Sequence, residues 1–282
     1  MSNSMFIVDA FTNKAFYGNQ AAVCLLAAEK SATWMQNVAS EMNLSETAFI
    51  HPLNEQNEFG LRWFTPTVEV VLCGHATLAT AHILYTTQIV ESSNTITFET
   101  LSGDLKASMG DDGQIRLDFP AIECYDYAAP IELLLALGVD ARSIQRSKLD
   151  VLIQLDSEPD VAAVAPDFTA LKEIQNIRGV IVTAQSDDPD GCGYDFVSRF
   201  FAPSCGIDED PVTGSAHCAL APYWMKRLGK NPLVGYQASK RGGIVGVRCI
   251  GQRVELTGSC VTMVSGNFAI DDEHETSNSA TS

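Results

Sequence analysis

The sequence predicts an α+β protein of two pseudo-symmetric halves, each a curved, mainly antiparallel sheet wrapped around one central helix. Three observations predict it. Short runs that read as strands outnumber helical runs. A composite motif occurs twice: Phe64-Thr65-Pro66 leading to Cys73-Gly74-His75-Ala76-Thr77-Leu78-Ala79, and Phe201-Ala202-Pro203 leading to Asp210-Pro211-Val212-Thr213-Gly214-Ser215-Ala216-His217-Cys218-Ala219. Each copy opens a helix that is small and apolar on all sides, and a helix without a polar face is usually buried.

In the first half, residues 6–9 read as a strand, Gly18-Asn19-Gln20 as a turn and 21–26 as a second strand. Ser31 offers an N-cap to a helix that buries Met35, Val38, Ala39 and Met42. Strands follow at 44–50 and 61–65, then the helix from Gly74 to about Tyr85, then strands at 96–99, 105–109 and 115–119. The last two strands meet at an Asp112-Gly113 hairpin turn. The second half repeats this order: a strand at 151–155, a helix at 167–177, strands at 179–184 and 196–201, the helix from Gly214 to about Leu228, and strands near 234–238, 244–249 and 254–256. Two long copies make a duplicated domain rather than a solenoid. The halves are set at 5–119 and 124–258, with 259–270 as a last strand that could complete the first half. Met1 to Ser4 read as a loose lead-in, and the polar stretch 271–282 as a disordered tail.

Eighteen basic against 35 acidic side chains give the 282-residue chain a net charge of −17. Such a surface repels nucleic acid and anionic membrane, and its plain consequence is solubility. No apolar run reaches membrane-spanning length and no leader pattern opens the chain, so a cytoplasmic protein is expected. The eight Cys form no CxxC pair and read as reduced thiols. The five His show no metal-ligand spacing, so no metal is expected.

Four blocks then converge on a known family. Gly18-Asn19-Gln20-Ala21-Ala22-Val23, Asn43-Leu44-Ser45-Glu46-Thr47-Ala48-Phe49, Cys73-Gly74-His75-Ala76-Thr77 and Asp210-Pro211-Val212-Thr213-Gly214-Ser215-Ala216-His217 resemble, in order, the signatures of the phenazine-biosynthesis PhzF-like family. The resemblance runs from about Met5 to Phe268. It implies the diaminopimelate epimerase-like fold, an active site in the cleft between the halves, a cofactor-independent isomerase and a homodimer.

Glu46 is the candidate acid–base group. Alternation puts it on one strand face with Leu44, Ala48 and Ile50, and apolar surroundings would raise its pKa toward neutrality. The matching strand at 179–184 has no carboxylate, which favours a single base over a matched pair. The resemblance places the catalytic Glu at this Ser-Glu-Thr position, and sets Gly74, His75, Asp210 and Ser215 beside it in the pocket. From the residues alone, a helix start is an anion site. Gly74 lets a ligand approach the backbone, His75 can donate to a carboxylate or sit satisfied in the core, and Asp210 is either a cap before Pro211 or a pocket carboxylate. Gly214 and Ser215 offer a backbone N–H and a hydroxyl; Asn19 ranks lower, as a turn residue. His82 and His217 read as structural.

Cys73 carries the rival reading. Two-thiol racemases of the related fold resemble Cys73-Gly74-His75 at one helix start and carry a second Cys-Gly at the other, where this chain has Thr213-Gly214. A threonine hydroxyl cannot replace a thiol as acid or base. The expected function is therefore a proton shift on a small carboxylate-bearing or cyclic anionic metabolite. The alternatives are an amino- or hydroxy-acid racemase or epimerase using Cys73, and a non-catalytic binding or scaffold protein of the same fold.

Overall fold

The first central helix, Gly74–Thr86, buries eleven of its residues. The second, Gly214–Leu228, buries nine and turns Lys226 and Arg227 into its last turn, where cations suit the helix dipole. Apolar surface on every side requires a sheet that curls around the helix, and the strands supply it. The computed structural model describes residues 4–53 and 55–269.

In the first half, Ser4–Ala10 pairs antiparallel with Asn19–Leu25, which runs parallel to Glu46–Pro52; Glu46–Pro52 is antiparallel to Glu58–Phe64. Glu58–Phe64 runs parallel to Ile96–Glu99, and antiparallel steps lead to Leu105–Met109 and Ile115–Pro120. The second half repeats the same sequence of pairings through Ser143–Arg146, Asp150–Gln154, Gly179–Gln185, Phe196–Ala202, Leu233–Gln237, Gly243–Ile250 and Arg253–Gly258. The duplication predicted from two motifs is thus a duplication of sheet topology.

The halves share one sheet, because Ile115–Pro120 pairs with Arg253–Gly258. Cys260–Asn267 pairs with Ser4–Ala10, so the end of the described chain lies in the first half's sheet. One core cluster holds residues of both central helices and the inner faces of their strands. The helix Ala32–Met42 covers the outside of the first half over Cys24, Phe49 and Phe64, and Ser31 caps it by accepting from the Trp34 N–H.

Several local expectations change. Ser4 belongs to the first strand, not to a loose lead-in; residues 1–3 and the tail at 271–282 lie outside the described residues. The strand expected at 44–50 begins at Glu46, because Asn43 takes a left-handed conformation that turns the chain out of the preceding helix before extension resumes. Asn19 is strand rather than turn. The helix expected at 167–177 is only Phe168–Lys172, capped by Asp167, and short helices at Ile131–Leu137 and Glu158–Ala163 carry no strong periodic signal of their own. No helix among the described residues is long and apolar enough to cross a membrane.

Candidate active site

The two central helices begin against each other. A Cβ built on Gly74 would lie 3.0 Å from the Gly214 Cα, so at these glycines the two helix starts touch backbone to backbone. Close approach is their use, as expected, but of one helix start to the other. Replacing Gly by Ala inside a helix gains about 1 kcal/mol, whereas overpacking costs about 1–3 kcal/mol. The obstructing atom is backbone and cannot rotate away. Gly74→Ala is therefore expected to destabilise the protein by up to about 2 kcal/mol in urea unfolding, the overpacking cost less the helix gain; a gain would show that the helix starts part freely.

Neither helix start is capped by the side chain before it, because Cys73 and Thr213 turn elsewhere. Thr213 donates its hydroxyl to Asp210 Oδ2 at 2.5 Å. Asp210 ends the strand Ile207–Asp210 and caps nothing, so the capping reading of this residue fails. Asn19, fully buried, donates from Nδ2 to Asp210 Oδ1 at 2.8 Å and to the Val212 carbonyl at 3.0 Å. The same nitrogen lies 3.1 Å from His75 Nδ1, and Asn19 Oδ1 accepts from the Ser45 hydroxyl at 3.3 Å. A residue ranked low as a turn former is the bridge between the halves.

His75 Nε2 is 3.1 Å from Glu46 Oε2, and the Glu46 side chain is 12% exposed. The pair is an ionic contact rather than a well-aligned hydrogen bond: Oε2 is shielded from solvent yet has no aligned donor among the described residues. Of Glu46's predicted strand-face neighbours, Ala48 and Ile50 join the core around the central helices, while Leu44 precedes the strand.

Charge in this cluster follows from burial and proximity. Burial works against a charge on His75, but Cys73 and Glu46 outweigh it, and the imidazole is held well above its ordinary value. A protonated ring needs a place for each N–H; Glu46 faces Nε2, and Cys73 Sγ lies 3.6 Å from Nδ1. Burial, then Glu46, push the Cys73 thiol up, against the pull of His75. Burial pushes Asp210 up to about 6; Glu46 adds to the rise, while His75 and the hydrogen bonds from Thr213 and Asn19 oppose it.

Asp210 thereby links folding to pH. Its folded value of about 6 lies above the unfolded one, so its stabilising share is present at low pH and is lost as pH rises through about 6. Asp210→Asn removes that loss. The difference in unfolding free energy between variant and wild type is expected to shift in the variant's favour from about pH 4 to 7. A difference flat in pH would refute the assignment.

Donor atoms of Glu46, Cys73 and His75 lie within 4.8 Å of one another. Carboxylate, thiolate and imidazole are a set that a borderline cation such as zinc accepts. The sequence argument against a metal rested on linear spacing, which does not see this group.

Of the remaining candidates, Ser215 accepts a hydrogen bond from Arg178 Nη2 at 3.0 Å, and that guanidinium is gripped by buried Asp150 through Nε at 2.9 Å and Nη2 at 2.5 Å. Neither Arg178 nor Asp150 stood out in the sequence, although Arg178-Gly179 falls just where the second half repeats Ser45-Glu46. His82 meets Thr262 on the surface. His217 is fully buried, hydrogen-bonded to the Thr213 carbonyl and pushed down to about 4 by burial, in keeping with a structural role. All eight cysteines are free.

The doubled sheet-and-helix fold is of the epimerase-like class. A solved structure from Pseudomonas aeruginosa, named a predicted epimerase, shares the fold with a TM-score of 0.76 at 19% identity, over 96% of this chain and 100% of that one. Within that class the chain belongs to the PhzC–PhzF phenazine biosynthesis-like family, whose profile matches residues 8–266. It is 49% identical to an uncharacterised isomerase of Halalkalibacterium halodurans, over 96% of this chain and 100% of the relative. It is 41% identical to a PhzF-family protein of Enterococcus faecalis, whose crystal structure covers 96% of this chain and 100% of its own with a TM-score of 0.88.

Proposed function

We propose that this protein is a cofactor-independent isomerase that moves a proton on a small carboxylate-bearing or cyclic metabolite, with Glu46 as the acid–base group. The observation that carries the reading is the buried Glu46 Oε2, close to His75 and without an aligned donor of its own. A carboxylate oxygen left so is ready to take a proton from carbon. Relatives named isomerases, such as the one from Halalkalibacterium halodurans, support the reaction class.

In the proposed reaction Glu46 breaks a C–H bond next to a carboxylate or conjugated group, and the electron pair moves into that group. Protonated His75 and the uncapped helix starts stabilise the charge that develops. Glu46 then returns the proton to another carbon, so substrate and product have the same composition. Asp210, raised to about 6, changes charge near neutrality and sits one residue away through Asn19. It serves as the proton reservoir on the far side of His75.

The test follows small cyclic and acyclic carboxylates by NMR in heavy water. Deuterium entering carbon, lost in Glu46→Gln and kept in Cys73→Ala, supports the reading. One observation favours the racemase alternative, namely Cys73 Sγ at 3.6 Å from His75. Full loss of exchange in Cys73→Ala, with Glu46→Gln still active, would put that reading first.

A further inference from the structure

The pseudo-symmetry identifies the second half's counterpart of the base. In the first half Thr47 lies opposite Phe64, the aromatic of the aromatic-x-Pro turn; in the second, Val180 lies opposite Phe201. Stepping back from these pairs, Gly179 occupies the place of Glu46, and Arg178 the place of Ser45. A Cβ at Gly179 would lie 2.3 Å from the Phe200 ring, so a side chain there would require that ring to move. The second half holds no base at this position and offers a cation one residue earlier.

Arg178 is built to present itself. Asp150, 3% exposed, holds its Nε and Nη2 edge, and the ring of Phe200 lies 5.6 Å from the guanidinium carbon. Nη2 also reaches Ser215, the second residue of the second central helix. Nη1 makes no hydrogen bond among the described residues, and the side chain keeps 32% of its exposure. Contacts run without a break from Glu46 through His75 and Gly74 to Gly214, Ser215 and Arg178. A guanidinium fixed in this way leaves Nη1 as a charged donor, and the Ser215 hydroxyl, which accepts from Nη2, keeps its own proton to donate to the same carboxylate.

We propose that Arg178, with the Ser215 hydroxyl, anchors the carboxylate of the substrate, fixing which carbon lies at Glu46. This rests on the acid–base reading of Glu46 for its catalytic consequence, but the anchoring is testable by itself. The probes are benzoate and its neutral isostere benzamide, titrated against the full chain by ligand-observed NMR. Wild type is expected to prefer benzoate, and Glu46→Gln to keep that preference. The double variant Asp150→Asn/Arg178→Gln, which removes both charges and leaves neither stranded, is expected to bind benzoate roughly 10- to 100-fold more weakly with benzamide unchanged. If that pair does not fold, Arg178→Lys keeps Asp150 partnered and is expected to lose roughly tenfold, because one ammonium cannot hold Asp150 and Ser215 and still present a fixed donor to the ligand. Equal binding of both probes by wild type, or a preference that survives these substitutions, overturns the proposal. Arg178-dependent benzoate binding with no deuterium exchange on any carboxylate would sink the isomerase reading and leave the anchor standing. Glu46-dependent exchange with an unchanged KM in the double variant would do the reverse.

Discussion

Glu46→Gln is expected to slow deuterium exchange at substrate carbon by about 100- to 10,000-fold, the range a positioned general base supplies. The amide matches the carboxylate in shape, and Glu46 sits at the first residue of its strand rather than inside the core, so the fold should survive. What changes is the ability to accept a proton, together with the charge beside His75. Glu46 is one of the two groups that hold His75 above its ordinary value, so the substitution is also expected to lower the pKa of the His75 imidazole. That second readout needs no substrate and can be followed by NMR of the ring nitrogens. A variant with undiminished exchange would remove Glu46 from the chemistry. An unmoved His75 titration would show that the 3.1 Å contact carries no charge interaction.

The sequence disclosed the fold through what was repeated and the chemistry through what was not. Phe64-Thr65-Pro66 and Phe201-Ala202-Pro203 mark equivalent strand ends, and the two all-apolar helices identify the two centres. Thr213, standing where a second thiol would be, spends its hydroxyl on Asp210. Contacts between the halves were hidden, since nothing local to Asn19 says that it reaches Asp210 and Val212 nearly two hundred positions away. That Gly74 and Gly214 meet each other was equally hidden, because each glycine's neighbour comes from the other half. Arg178 was missed because its weight depends on Asp150, and a parallel strand pairing brings those two together. Local propensity also overstated the helix after Asp167, where five residues are enough to close the edge of the second core.

Asn19→Leu is the stability counterpart of the Glu46 experiment. Leucine keeps the branching of asparagine but is bulkier, so in this fully buried place some overpacking adds to the polar loss. It strands the acceptors that Asn19 serves, Asp210 Oδ1 and the Val212 carbonyl, and takes the Ser45 hydroxyl's acceptor away. A buried polar group deprived of its partner costs about 1–3 kcal/mol, more when it is charged. The groups share one network, so the losses do not simply add; a total of about 3–5 kcal/mol is expected. For a chain of this size that lowers the unfolding midpoint by roughly 5–8 °C. Loss of the Asn19 donor also removes one of the forces that hold Asp210 down, so the Asp210 pKa is expected to rise further, and the variant's deficit to widen as pH goes from about 5 to 8. Thermal unfolding at several pH values measures both effects. A deficit below about 1 kcal/mol, inside the ordinary range for a single exposed hydrogen bond, would mean that the bridge between the halves is dispensable and that the Gly74–Gly214 contact and the shared sheet suffice to hold the acid–base groups in register.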